Sequence, residues 1–144
     1  MSPTLRSQFA DYAAFHATPG NRACHYVGIP LIVFTLVALL TRVPLANLGS
    51  FTLTLAEVIV AVVTLWYLTL DVPLAIVMLV VTTASAFWGR SVPALLALVL
   101  FVVGWIFQFV GHYVYEKRSP AFYKNLMHLL VGPLWIAAKA TRRA

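Results

Sequence analysis

The chain has 144 residues, of which 62% are hydrophobic and only 10% charged, with a formal net charge of +6. A soluble domain carries about 25% charged residues, so this one has too little polar surface to cover a water-exposed globule, and lipid is the expected solvent for most of it. Six of the ten basic residues lie from Lys117 onward. Beside spans this apolar, such a tail fits anionic lipid headgroups and argues against nucleic acid as a partner. The single cysteine, Cys24, excludes an internal disulfide and a cysteine framework for zinc.

The expected fold is all-α and integral to the membrane: four transmembrane helices, with amphipathic interfacial helices at the N- and C-terminal ends, in a single domain over residues 1–144. Leu5, Phe9, Tyr12 and His16 fall on one helical stripe, which predicts an interfacial helix over roughly 4–18. The first 26 residues are mixed and polar and carry no pattern of a removable signal peptide. The run Thr18 to Asn21 is expected to break the first helix, with Asn21 capping the next. Spans follow at about 27–41, with Pro30 inside, and at about 51–70 after a loop from Arg42 to Ser50. Asp71 and Pro73 mark a tight connection in which Asp71 caps a third span, about 72–88. The fourth, about 92–115, is the clearest, since no Asp, Glu, Lys or Arg occurs between Ser91 and Tyr115. In the last segment Phe122, Leu126, Leu129, Leu130 and Pro133 alternate with Lys124, Asn125 and His128. This predicts an amphipathic helix over about 121–138, lying on the membrane.

Four spans place the amino terminus, the Asp71 turn and the carboxy tail on one side. That side carries Arg6, Arg22, Lys117, Arg118, Lys124, Lys139, Arg142 and Arg143, against Arg42 and Arg90 on the other. The asymmetry predicts both termini in the cytoplasm, of a bacterial inner membrane or an endoplasmic reticulum. The four histidines, His16, His25, His112 and His128, then share the cytoplasmic face.

Gln108, His112 and Glu116 follow one another at intervals of four along one helical stripe. An unpaired amide in hydrocarbon costs several kcal/mol, so Gln108 is expected to face the bundle interior, to hydrogen-bond there, and to turn His112 and Glu116 with it. His25 falls in the first turn of the first span, where the helix dipole favours neutral imidazole, the form that ligates a metal. Glu116 is read either as a partner of Lys117 or Arg118 or as a group that orients a histidine. Cys24 reads as a small buried residue, and Trp66, Trp88, Trp105 and Trp135 as interface anchors and packing. Histidine and carboxylate donors suit iron, zinc or copper.

From His16 to Pro30 the sequence reads H-x4-N-x3-H-x2-G-x-P, and from Gln108 to Ala121 it reads Q-x2-G-H-x3-E-x3-P-A. With both motifs, the chain resembles, nearly end to end, the small membrane-bound iron-dependent 2-hydroxy fatty acid dioxygenases, whose fungal members act in phytosphingosine breakdown. The resemblance implies an enzyme of fatty acid α-oxidation, in which a 2-hydroxy fatty acid and dioxygen give a fatty acid one carbon shorter. It also implies that His16, His25, His112 and His128 hold Fe(II), with Asn21, Gln108 and Glu116 orienting ligands or substrate. A site at the membrane boundary reaches the polar head while the acyl chain stays in an apolar environment. Arg22, Lys117 and Lys124 are cations able to attract the carboxylate. Two other classes stay open at this point: a small transporter using Glu57, the one acid inside a span, and a non-enzymatic haem- or metal-binding membrane protein.

Overall fold

Capping side chains and prolines set most of the helix starts in the computed structural model, which describes residues 1–123 and 125–143; Lys124 and Ala144 lie outside the described residues. Ser2 Oγ accepts from the Leu5 amide at 3.2 Å and opens α1 (Pro3–Ala14). Thr18 Oγ1 accepts from the Asn21 amide at 3.3 Å and opens α2 (Pro19–Leu40). Proline at the first helical position gives up no hydrogen bond and is preset for helical φ. The run from Thr18 to Asn21 therefore starts a helix, and Asn21, expected as its cap, is fully buried inside it. The helix begins at Pro19, a little before the expected cap Asn21, which puts His25 in its second turn.

The expected loop after α2 contains a strand, and the expected second span begins late. β1 (Pro44–Leu48) and β2 (Phe51–Thr54) pair antiparallel, with Leu48 opposite Phe51 across the Gly49-Ser50 turn. Residues Thr52 and Thr54 are β-branched and favour this extended backbone. Glu57 Oε2 then accepts from the Thr54 amide at 2.8 Å and its hydroxyl at 2.6 Å, a capping interaction that starts α3 (Leu55–Leu70). Asp71 Oδ1 accepts from the Leu74 amide at 3.0 Å and opens α4 (Val72–Gly89). Pro93 precedes α5 (Ala94–Val110), which runs on into a π-helical turn, Gly111–Glu116. A 3-10 turn (Ala121–Tyr123) and α6 (His128–Ala140) follow, so the last helix starts later than about 121.

The molecule is mostly helical. Among the described residues, three helices are long and apolar enough to cross a membrane: α2, α4, and α5 with its π-helical extension. The fourth apolar helix, α3, has 16 residues. Outward-facing Leu65, Val80, Phe87 and Leu95 are large, apolar and exposed, as lipid-facing positions are.

Helices α2 and α5 form the central pair, packed most closely where Gly28 meets Gly104. A Cβ on Gly28 would run into Gln108 Nε2 and come within 2.8 Å of the Gly104 carbonyl oxygen. Small residues let the backbones approach, the usual device of helix packing in membranes. At one end of the bundle α1 and α6 fold back over the other helices. Leu5, Phe9 and Tyr12 of α1 and Val131, Leu134 and Trp135 of α6 share a core with Tyr67, Leu74 and Met78. The stripe read as membrane-facing in α1 is thus turned onto protein. At the same end Asp71 Oδ2 pairs with the Met1 amine at 2.9 Å and with Arg143 at 3.4 Å, which ties both chain ends to the α3–α4 turn.

Candidate metal centre

Three histidines from three different segments meet under this cap. His16 follows α1, His25 lies in α2, and His112 stands in the π-helical turn. Their ring centroids are 4.3 Å (His16–His25), 5.0 Å (His16–His112) and 4.9 Å (His25–His112) apart. One nitrogen from each lies within 4.8 Å of the others, and all three rings are buried.

The backbone fixes which nitrogen two of the rings offer. His16 Nδ1 donates to the Tyr12 carbonyl at 2.6 Å, and His25 Nδ1 donates to the Asn21 carbonyl at 2.9 Å. A carbonyl only accepts, so both Nδ1 atoms carry the proton and both Nε2 atoms present a lone pair. In both cases the carbonyl is four residues back, and this contact sets the tautomer. Tyr12 also stacks on His16 at 4.0 Å. Burial pushes the His16 imidazole from 6.5 down to about 4, so it is neutral at physiological pH.

These donors suit a metal ion. His16 Nε2 and His112 Nδ1 are buried without a hydrogen-bond partner among the described residues, and a buried polar atom left so costs about 1–3 kcal/mol. An ion satisfies them together. Three imidazole nitrogens at roughly 2.1 Å from one ion sit about 3.0–3.6 Å apart, so a spacing of up to 4.8 Å closes with side-chain shifts of about an ångström.

Glu116 does not pair with Lys117 or Arg118. Its carboxylate accepts from the Ala17 amide at 3.0 Å, the Thr18 amide at 3.1 Å, the Thr18 hydroxyl at 2.9 Å and Asn21 Nδ2 at 3.0 Å. It clamps the turn between α1 and α2, the segment that carries His16, onto the end of α5. The π-helical turn widens the helix where His112 and Glu116 must both reach α2; such turns are frequent at functional sites. Gly111 sits at the contact, where a Cβ would collide with Asn21 Oδ1 and lie 3.1 Å from Cys24 Cβ. Asn21 Nδ2 also donates to the Phe15 carbonyl at 3.1 Å. Gln108 is buried and faces inward, and its Nε2 has no partner among the described residues.

His128 borders the same cavity but is not in the three-histidine group. Its Nε2 lies 2.8 Å from Asp11 Oδ2, while its buried Nδ1 is unpartnered among the described residues. Asp11 was not legible as a site residue in the sequence, since its partner is 117 positions away. Tyr12, Thr18 and Trp105 were missed in the same way. Trp105, read as an interface anchor, lines the cavity and meets Phe122 edge-on at 5.5 Å. Trp135 is buried in the core rather than anchored at an interface. Of the proposed carboxylate attractors, Arg22 and Lys117 do not border the cavity.

The cavity measures about 420 Å³ and starts at the histidines. Glu57 lies outside it, near the other end of the bundle, where it pairs with Arg90 at 2.7 Å and caps α3.

The chain belongs to the Mpo1-like family: the family model described as "2-hydroxy-palmitic acid dioxygenase Mpo1-like" matches residues 2–144. Among curated proteins it is similar to the 2-hydroxy-palmitic acid dioxygenase MPO1 of Saccharomyces cerevisiae, with 35% identity over 127 residues, covering 88% of this chain and 73% of the relative. No solved structure matches.

Proposed function

We propose that this protein is a membrane-bound, Fe(II)-dependent dioxygenase that converts 2-hydroxy fatty acids into fatty acids one carbon shorter. The observation that carries the reading is the convergence of His16, His25 and His112 at one end of an apolar cavity, with a buried unpartnered nitrogen on His16 and on His112. Family membership and the yeast relative supply the reaction class.

Bound iron supplies dioxygen activation and a site that the hydroxyl and carboxylate of the substrate can grip together. The chain's own residues do the rest. His16 and His25, protonated at Nδ1 by their carbonyl contacts, keep Nε2 free for the ion. Glu116, through Thr18 and Asn21, holds His16 at the distance His25 and His112 require. Gln108 Nε2, with its donors unused, is the group to bind a substrate oxygen. His128, held by Asp11, serves as a fourth donor to the ion or to the substrate head. The reaction balances without an external reductant: the hydroxy acid and dioxygen yield the shortened acid, carbon dioxide and water.

The membrane arrangement proposed with it has α2, α3, α4 and α5 as four spans and both chain ends cytoplasmic. Labelling a Leu48→Cys variant from either side tests this, and labelling from the cytoplasm overturns it. For the reaction, purified protein loaded with Fe(II) is incubated aerobically with 2-hydroxypalmitic acid and the products are weighed by mass spectrometry. The expected result is the acid one carbon shorter, lost on chelation and on exclusion of oxygen. No product from iron-loaded protein, or a haem band in its absorption spectrum, overturns the reading.

A further inference from the structure

The cavity does not end at the histidines. It follows one stripe of α2, from His25 through Ile29, Val33 and Leu36 to Leu40. Fifteen residues at 1.5 Å each make this about 22 Å. On α5 the stripe from His112 and Gln108 through Trp105 to Phe101 runs beside it, and Val63 and Ile59 of α3 also line it.

Polarity divides the cavity sharply. His16 Nε2, Gln108 Nε2, His112 Nδ1 and His128 Nδ1 are unpartnered among the described residues, and all belong to residues around the histidine end. Farther along, Thr82 is satisfied within its own helix, donating to the Met78 carbonyl at 2.7 Å. A ligand that matches this wall has a polar head and a long hydrocarbon tail. At the far end Leu40 packs against a cluster of Val37, Ala56 and Ala86.

We propose that this cavity is an acyl-chain channel that takes the tail of the substrate into the bundle, and that its depth sets the longest chain accepted. The inference rests on the dioxygenase reading for the identity of the head group, and it differs from a site that leaves the tail in lipid. An extended chain advances roughly 1.2 Å per bond, by the geometry that lets three backbone bonds span about 3.6 Å, so 22 Å holds roughly 18 bonds. Lipid and channel are equally apolar, so methylenes gain little by moving between them. Selection is therefore by length: atoms beyond the far end meet packed side chains.

The test uses iron-loaded protein in lipid nanodiscs, offered 2-hydroxy acids from 8 to 24 carbons. Wild type is expected to lose activity beyond roughly 18 carbons. Val33→Trp, at about 12 Å of depth, should move the limit to roughly 10 carbons, and Leu36→Trp, at about 16 Å, to roughly 14. The readout is the ratio of rates on 8- and 16-carbon substrates, which should rise at least tenfold in Val33→Trp. Leu36 is already half-exposed and accepts a larger ring, so it carries the test where Val33→Trp does not fold. A second readout needs no turnover: displacement of a fluorescent long-chain fatty acid by palmitate from metal-free protein, expected to weaken at least tenfold in Val33→Trp. Turnover with no length limit, or with the same limit in both variants, overturns the channel and leaves the reaction standing. Palmitate binding that Val33→Trp weakens, without turnover of any 2-hydroxy acid, overturns the reaction and supports the channel.

Discussion

At the hairpin end of the bundle, Glu57 accepts from Thr54 and pairs with Arg90, and Arg42 Nη2 donates to the Gly89 carbonyl at 3.1 Å. At the histidine end, four buried side-chain nitrogens around one cavity have no partner among the described residues. Both regions hold polar groups in an apolar protein, where an unmet group costs several kcal/mol. Where the pairs are closed, the polar groups fasten helices. Where they stay open, the fold keeps donors for something else. The sequence offers Glu57 and His112 alike as polar residues near the ends of apolar helices, and pairing is what separates them.

The comparison can be broken by removing members of each set. The largest effect is expected for His25→Ala and His112→Ala, each of which should abolish bound iron and turnover; metal analysis per chain beside activity checks this, and full occupancy in both would show the histidines to be packing groups. Glu116→Ala comes next. It strands the donors of Ala17, Thr18 and Asn21, which at about 1–3 kcal/mol for a stranded buried group should cost roughly 2–4 kcal/mol in this half-open setting. Denaturation curves should show that loss together with weaker iron binding, and Glu116→Gln should recover part of both. Gln108→Ala and Asn21→Ala are expected to keep iron while slowing turnover by about 10–100-fold, the usual size for groups that orient ligands. Turnover that is unaffected in iron-replete Gln108→Ala would remove this residue from the site.

The smallest effect belongs to the closed end. Glu57→Gln breaks a part-exposed ion pair with Arg90 and weakens a helix cap, which should lower stability by roughly 1 kcal/mol. Turnover should be retained. Loss of activity in folded, iron-bound Glu57→Gln would revive a proton-relay or transport role.

Much of the site could be read from spacing. Gln108, His112 and Glu116 at intervals of four had to share a face, and Gln108 does face inward. The π-helical turn was not legible, because no local sequence rule distinguishes it from α-helix; it forms where α5 must bring His112 and Glu116 to α2. The histidine set was also incompletely resolved. Sequence gives four histidines on one face, while packing brings three together and sets His128 beside Asp11.

Composition and hydropathy by themselves determined an apolar, helical chain with helices long and apolar enough to cross a membrane, because too few charges exist to cover it with water. They placed most helices to within a few residues. They misjudged the starts of α3 and α6, where a β-hairpin and a 3-10 turn occupy the expected first residues. Only the tertiary structure decided that α1 and α6 turn their apolar faces onto protein, since an amphipathic stripe is satisfied by lipid or by a core equally well. It alone decided that Glu116 serves the α1–α2 turn, and that a 420 Å³ cavity runs from the histidines into the bundle. Those outcomes depend on contacts such as Ala17 with Glu116, 99 positions apart, and Tyr12 with Trp135, still farther apart, and no local periodicity encodes a distance of that kind.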